Sequence, residues 1–330
     1  MHLKYFLFLL ICLIVFPFAC PQAQGNIFPP AAKPEKVFGN GFFTEGPAES
    51  PDGTIYFSDL TFTSESQMQA GYIWRFDPRT KKTTLFRSPS GMANGIRFDK
   101  DGNMLVAQSA DFGLRCLTET DMKTGKSRII AGLFNGKPFN SPNDLSIDKK
   151  GRIYFTDPRY TGHEKVEQPV MGVYRLDRDG KVSLIISEIP MPNGIAVSPD
   201  EKTLYVGCYD EGSEADSVNK TSGAPRMEIM SYDLNEDGSA KLKKVLVKLP
   251  TEGGPDGIRL DEKGNIYAAI RNEASPSVKV FSSEGVEIAS LPMPEVPSNL
   301  TFSRQGYLYI TAGKSLYRIK TLNRGHFTSK

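Results

Sequence analysis

Ser141-Pro142-Asn143-Asp144-Leu145-Ser146-Ile147-Asp148-Lys149-Lys150-Gly151-Arg152-Ile153-Tyr154-Phe155 reads as two short strands around a tight turn. A polar residue opens the phrase, a turn-tolerant residue follows, apolar residues alternate, and a Gly eight places on precedes an apolar trio. The same phrase begins again at Glu45, Asn94, Asn193, Asp256 and Ser298, so the six copies are spaced by 49, 49, 50, 63 and 42 residues. The eighth place holds Gly53, Gly102, Gly151, Gly264 and Gly306, with Glu201 and a one-residue shift in the fourth copy. The trios are Ile55-Tyr56-Phe57, Met104-Leu105-Val106, Ile153-Tyr154-Phe155, Leu204-Tyr205-Val206, Ile266-Tyr267-Ala268 and Leu308-Tyr309-Ile310, which are strand compositions. The second place holds Gly46, Gly95, Asp144, Gly194, Gly257 and Asn299, all residue types that accept positive φ at low cost.

Two more strand-like runs follow in most copies, such as Val173 to Leu176 and Val182 to Ile186 around Asp179-Gly180. Four strands per unit, six units and no amphipathic helical stretch predict an all-β fold, a six-bladed β-propeller of four-stranded antiparallel blades. The last copy has room for only three strands, while Lys36 to Phe43 has a strand pattern and precedes the first copy. The N-terminal strand is therefore expected to complete the sixth blade and close the ring, removing two exposed sheet edges. A seventh blade is excluded. The 63-residue spacing exceeds the 49 of the first copies by only 14, and Asp210 to Arg226 is polar sequence of loop character.

Composition agrees with a globular domain: of 330 residues, 39% are hydrophobic and 24% charged, and the net charge is +2. That balance leaves no basic stripe for nucleic acid. Histidine is confined to His2, His163 and His326, so a His-rich zinc site or a Ser-His-Asp triad would hang on His163 alone. Residues 1–25 read as an export signal. Lys4 is followed by an apolar run from Tyr5 to Ala19, too short to span a bilayer, and Ala23-Gln24-Gly25 has the small-x-small cleavage pattern. The mature chain is expected outside the cytoplasm, secreted or periplasmic, from about Asn26. Lipid anchoring at Cys20 is the minor alternative, disfavoured by Pro17 where a lipobox carries Leu. Residues 26–36, with Pro29, Pro30 and Pro34, read as an extended tether, 37–323 as the propeller and 324–330 as a tail. Cys116 and Cys208 fall in non-neighbouring repeats and are expected as buried, unreactive thiols.

In a propeller the innermost strands line a central channel, so the first positions of the six phrases form a ring: Glu45, Asn94, Asn143, Asn193, Asp256 and Ser298. Short polar residues also begin strands after Pro because they bond their own backbone. The turn requirement is met one residue later, however, and Glu45 is a poor turn former. Two carboxylates with three amide carbonyls suit a hard divalent cation. Calcium is preferred to magnesium, whose strict octahedron fixed side chains supply poorly, and zinc is disfavoured without Cys or His. The loops between second and third strands share the ring's face: Asp59 to Gly71, Ser109 to Leu114, Asp157 to Gly172, Tyr209 to Met227 and Arg271 to Pro276. Phe62, Phe112, Tyr160 and Tyr209 are candidates to wall a pocket there, against the alternative of plain burial under the loops. Asp111, Arg159 and Tyr160 are the candidate substrate-binding side chains, and His163 is a weaker candidate base.

Thr44-Glu45-Gly46-Pro47, Ser141-Pro142-Asn143-Asp144-Leu145, Pro192-Asn193-Gly194-Ile195 and Pro255-Asp256-Gly257-Ile258, in order on four blades, resemble the regucalcin/gluconolactonase family of calcium-dependent six-bladed propeller hydrolases. The resemblance runs from about Val37 to Thr321. It implies Glu45, Asn143, Asn193 and Asp256 as metal ligands, Asn94 and Ser298 as channel lining, and hydrolysis of lactones or, in some relatives, organophosphates. Glu49 stands where family members often carry Trp. Ser141 stands where animal members carry an Arg thought to contact the sugar acid, so the motif is more similar to that of bacterial lactonases. The expected activity is a carboxylic ester hydrolase opening a small-molecule lactone of the sugar-acid class, with Asp256 assisting water or attacking directly. The alternative is a non-catalytic sugar-binding propeller with structural calcium. A scaffold for protein partners would need an apolar patch that the polar loops do not offer.

Overall fold

Each of the six phrases forms the two inner strands of a four-stranded antiparallel sheet in the computed structural model, which describes residues 27–63, 70–212 and 223–327. The innermost strands are Thr44–Glu49, Ala93–Phe98, Leu145–Ile147, Pro192–Val197, Gly254–Leu260 and Pro297–Phe302. They touch one another in cyclic order, the sixth returning to the first. This is the six-bladed ring that the repeat predicts. Apolar side chains of the trios pack between adjacent sheets. Phe57, Tyr154, Phe155, Tyr267 and Tyr309 are fully buried, and each such burial contributes about 1.5–3 kcal/mol. The tyrosines keep a polar end inside the core, and Tyr154 and Tyr267 place their hydroxyls 3.2 and 3.4 Å from Asp148 and Asp261.

The ring closes as expected. Glu35–Phe38 pairs antiparallel with Ser315–Lys320, making the sixth blade from both ends of the chain. The strand is shorter than the Lys36 to Phe43 pattern because Asp59 captures the Phe42 and Phe43 amides at 2.8 and 2.9 Å and turns the chain toward the first blade. The seam carries charge: Lys36 meets Glu295 at 2.6 Å and Arg318 meets Glu35 at 2.8 Å.

Three details correct the sequence reading. The stretch read as an extended tether is packed where it is described. Ile27 is buried in the apolar core of the last two blades, its carbonyl accepts the Leu322 amide at 3.0 Å, and Phe28 lies edge-on to Tyr267. The tail is likewise seated: Gly325 bridges Asp261, and the His326 amide donates to the Leu260 carbonyl at 2.9 Å. In the fourth blade the surplus residues do not all enter the loop, since its outer strands Arg226–Leu234 and Ala240–Lys248 have nine residues each. The export-signal reading falls on residues 1–25, outside the described residues. Cys116 and Cys208 are free and buried, and burial pushes both thiols up to about 12.

Positive φ is used at a different place in the phrase from the one expected. Among the six second-position residues only Gly46 has it, at +41°, whereas the eighth position has it in every copy, including Glu201 at +59°. Glycine at the second position answers to space instead. A Cβ on Gly194 would stand 2.2 Å from the Asp256 carbonyl, and one on Gly257 would stand 2.2 Å from the Asn299 side chain. Adjacent inner strands approach so closely around the channel that a side chain there has no room.

Candidate active site

All six ring residues are buried at one mouth of the channel. In four blades the ladder between first and second strands shifts register across the ring position, and in the first blade just after Glu45. Such irregularities re-aim side chains, and they release Asn94, Asn193, Asp256 and Ser298 from regular pairing, whereas Glu45 stays paired with Ser58. Ser298 differs from the others: its hydroxyl lies 2.7 Å from the Thr44 carbonyl and staples the sixth blade to the first.

The two asparagines flanking the third copy are oriented by their amide nitrogens. Asn193 donates through Nδ2 to the Tyr160 hydroxyl at 3.1 Å, and Asn94 donates through Nδ2 to the Ser109 hydroxyl at 3.4 Å. The Oδ1 atoms of both are buried without a hydrogen-bond partner. An unpaired buried carbonyl oxygen costs about 1–3 kcal/mol, so two in one ring call for a ligand.

The carboxylates are in the same condition. Burial first, and then the charge of Asp256, hold the Glu45 carboxyl far above its ordinary value, although Gly46 N and Asn299 Nδ2 donate to Oε2 at 2.7 and 3.0 Å. Burial raises Asp256 to about 6, against the pull of Arg271, whose Nη1 is 3.3 Å from Oδ2. Two carboxylates in one dry space resist ionising together unless a cation joins them. Below the ring, Asp144 is wholly buried between Arg97 at 3.2 Å and Arg259 at 3.0 Å. Burial opposes its ionisation, but the two guanidinium groups outweigh it and its carboxyl lies below the ordinary value.

The rim comes from the loops of the same face. Tyr160 and Tyr209 meet edge to face at 6.1 Å between centroids, and the Arg271 guanidinium lies over Phe43 at 5.1 Å and Tyr209 at 5.9 Å. Of the side chains singled out for substrate, Tyr160 therefore stands at the ring. Asp111 lies further out, where it accepts the Thr63 amide at 2.7 Å and hydroxyl at 2.8 Å, with His163 at 3.4 Å. Arg159 is wholly buried and braces its own loop, donating to the Asn140 carbonyl at 2.6 Å and pairing with Glu164. Phe112 is half exposed against His163, and Phe62 packs on Phe43.

Sequence reasoning missed Arg271 and the Arg97–Asp144–Arg259 cluster. Arg97 and Arg259 each fall three places after a ring residue, the same phase of two phrases, which was a readable signal. Arg271 is the last residue of its strand and is brought to Asp256 only by the hairpin between Gly254–Leu260 and Ile266–Arg271.

The donor set fits a hard divalent cation: two carboxylates that repel one another, and neutral amide oxygens left without partners. Among the described residues no three His, Cys, Asp or Glu side chains gather. Any cation here would rest on the amides as much as on the carboxylates.

The model of the SMP-30/gluconolactonase/LRE-like region matches residues 43–314. A gluconolactonase of Zymomonas mobilis is 32% identical over 302 residues, covering 83% of this chain and 79% of that protein. The lactonase drp35 of Staphylococcus epidermidis is 30% identical over 258 residues, 74% of this chain and 71% of that protein. The solved structure of a gluconolactonase from Xanthomonas campestris superposes with a TM-score of 0.75 at 26% identity, covering 91% of this chain and 93% of that one.

Proposed function

The chain belongs to the SMP-30/gluconolactonase/LRE-like family, and from that membership we propose that it hydrolyses a lactone of the sugar-acid class at the ring, with a divalent cation, calcium by preference, held by Glu45, Asn143, Asn193 and Asp256. The observation that carries the reading is the pairing of two like-charged buried carboxylates with the orphaned Oδ1 of Asn193. A bound cation would polarise the ester carbonyl and offset the charge that develops on its oxygen.

The chain's own groups have definite tasks. Asp256 is buried yet held in contact with Arg271, which fixes its carboxylate where it can accept a proton from an attacking water. In the water route its carboxylate accepts the proton of the attacking water while the new C–O bond forms at the carbonyl carbon. The ring C–O bond then breaks, and the ring oxygen leaves as an alcohol carrying that proton. In the direct route a carboxylate oxygen of Asp256 attacks the carbonyl carbon, and the ring C–O bond breaks as the ring oxygen takes a proton from water. A hydroxide or water later cleaves the resulting anhydride to free the acid and restore the Asp256 carboxylate. Single turnover in 18O-labelled water separates the two, because only the direct route can place label in Asp256. Tyr160 fixes the rotamer of Asn193, and Arg271 with Tyr209 and Phe43 forms a charged and aromatic rim that orients a hydroxylated ring over Asp256.

The test is an aldonolactone panel assayed with and without chelator. Chelator-sensitive ring opening that disappears in Asp256→Asn, with the fold retained, is the expected result. Full activity in chelator-treated protein overturns the metal's part, and saturable binding without turnover overturns catalysis. Export of the mature chain from about Asn26 is also proposed, on the strength of residues 1–25, and is checked by the N-terminal mass of exported protein.

A further inference from the structure

The opposite mouth of the channel is built from the same strands, a few residues further along, and its character is inverted. A cavity of ≈ 100 Å³ lies there, walled by all six blades and roofed by His326 and Phe327 of the C-terminal segment. That is room for several waters. It admits a halide or a tetrahedral oxyanion but not a lactone of sugar size.

Its charged groups can be balanced one by one. Glu49 is consumed by Arg304, which it meets through the backbone amide at 3.0 Å and the guanidinium at 2.9 Å. Asp144 is the one carboxylate shared by Arg97 and Arg259, at 3.2 and 3.0 Å. Two guanidinium groups, Arg259 buried and Arg97 partly so, therefore face a single negative charge, and no further carboxylate lines this cavity among the described residues. The remaining polar lining is the Ser146 hydroxyl, which accepts the Val197 amide at 3.1 Å, the Thr301 hydroxyl, and His326. Arg259 Nε and His326 Nε2 are buried without any partner, and Arg259 is about nine-tenths buried. Donors in excess of acceptors in a narrow, largely buried space are what an anion satisfies.

We propose that this cavity is a binding site for a small inorganic anion, halide to phosphate in size, held between Arg97 and Arg259 under the C-terminal segment. Like-charge proximity at the cluster is consistent with this. Burial, and then the neighbouring Arg259, bring Arg97 down to about 9 even with Asp144 beside it, and a bound anion would relieve both effects. The inference needs neither metal nor turnover at the ring, so its failure would leave the lactone reading untouched.

The test uses metal-free mature protein. Thermal unfolding is followed against chloride and against phosphate, at constant ionic strength made up with the bulky morpholinoethanesulfonate anion. In parallel, anomalous difference density is recorded from bromide-soaked crystals. The expected results are a saturable rise in Tm, a bromide peak between the Arg97 and Arg259 guanidinium groups, and at least a tenfold loss of anion affinity in Arg97→Gln, which leaves Asp144 paired with Arg259. The ratio of chloride to phosphate affinity identifies the occupant. No saturable shift, an unchanged shift in Arg97→Gln, or a bromide peak only at Arg271 overturns the proposal. If Arg97→Gln does not fold, the position of the bromide peak in the wild-type protein decides alone.

Discussion

The ring and the closing seam both depend on buried or half-buried carboxylates, and the fold treats them in opposite ways. At the ring, burial and mutual repulsion hold Glu45 and Asp256 above their ordinary values, with too few donors to compensate. At the seam, burial also opposes ionisation of Glu295, but Lys36, Ser315 and Tyr317 converge on Oε1 at 2.6, 2.6 and 2.7 Å and bring it down to about 2. One region holds unfavourable electrostatics that a proton or a bound cation would relieve, and the other turns the same chemistry into stability. Perturbed carboxylates gathered in one place mark the ring, not the seam, as the candidate functional site.

That contrast can be broken in graded steps. The largest effect is expected from Asp256→Asn, which should lower kcat for the best aldonolactone by on the order of 10³-fold, the usual weight of a positioned acid–base group. Circular dichroism and Tm should be unchanged or improved, and a fall in Tm with activity intact would reverse the assignment. Arg271→Met should cost roughly 10–100-fold in kcat/KM, as expected if it orients the Asp256 carboxylate on a cation as proposed, read from steady-state kinetics on the same lactone.

Stability gives the next two steps. Glu295→Gln should lower unfolding free energy at neutral pH by about 2 kcal/mol, since it removes an ion pair and weakens the seam's hydrogen bonds. Glu45→Gln in metal-free protein should raise it by on the order of 1 kcal/mol by removing one of two repelling buried carboxylates. Denaturant titrations of both variants sharpen the comparison, and equal signs would dissolve it. The smallest step is in pH. Glu295 titrates at about 2 when folded, against 4.5 as its ordinary value. Its contribution is therefore full above about pH 4.5 and is lost as pH falls toward 2. Glu295→Gln should flatten that part of the stability curve.

Blade number, strand pairs and the location of the ring were legible because a propeller repeats one phrase, and repetition converts position in the chain into position around an axis. The closure was legible for a simpler reason: a three-stranded sixth unit lacks an edge partner, and a spare strand pattern at Lys36 supplies it. What escaped depended on distances between segments that no phrase encodes. Arg159 and Tyr160 are neighbours in sequence, yet one is spent inside its loop and the other reaches Asn193. Gly194 and Gly257 looked like turn residues, and their real constraint is a neighbouring blade 2.2 Å from where a Cβ would stand. Ile27 and Phe28 were hidden among prolines, although their apolar side chains find the core of the last blades.

Calorimetric titration of calcium into chelator-stripped protein, wild type beside Asp256→Asn, tests the ring most directly. A single saturable site that restores lactone hydrolysis in the wild type and is lost in the variant is the predicted result. Undiminished calcium binding in Asp256→Asn, or hydrolysis by wild-type protein that calcium neither restores nor increases, would contradict it.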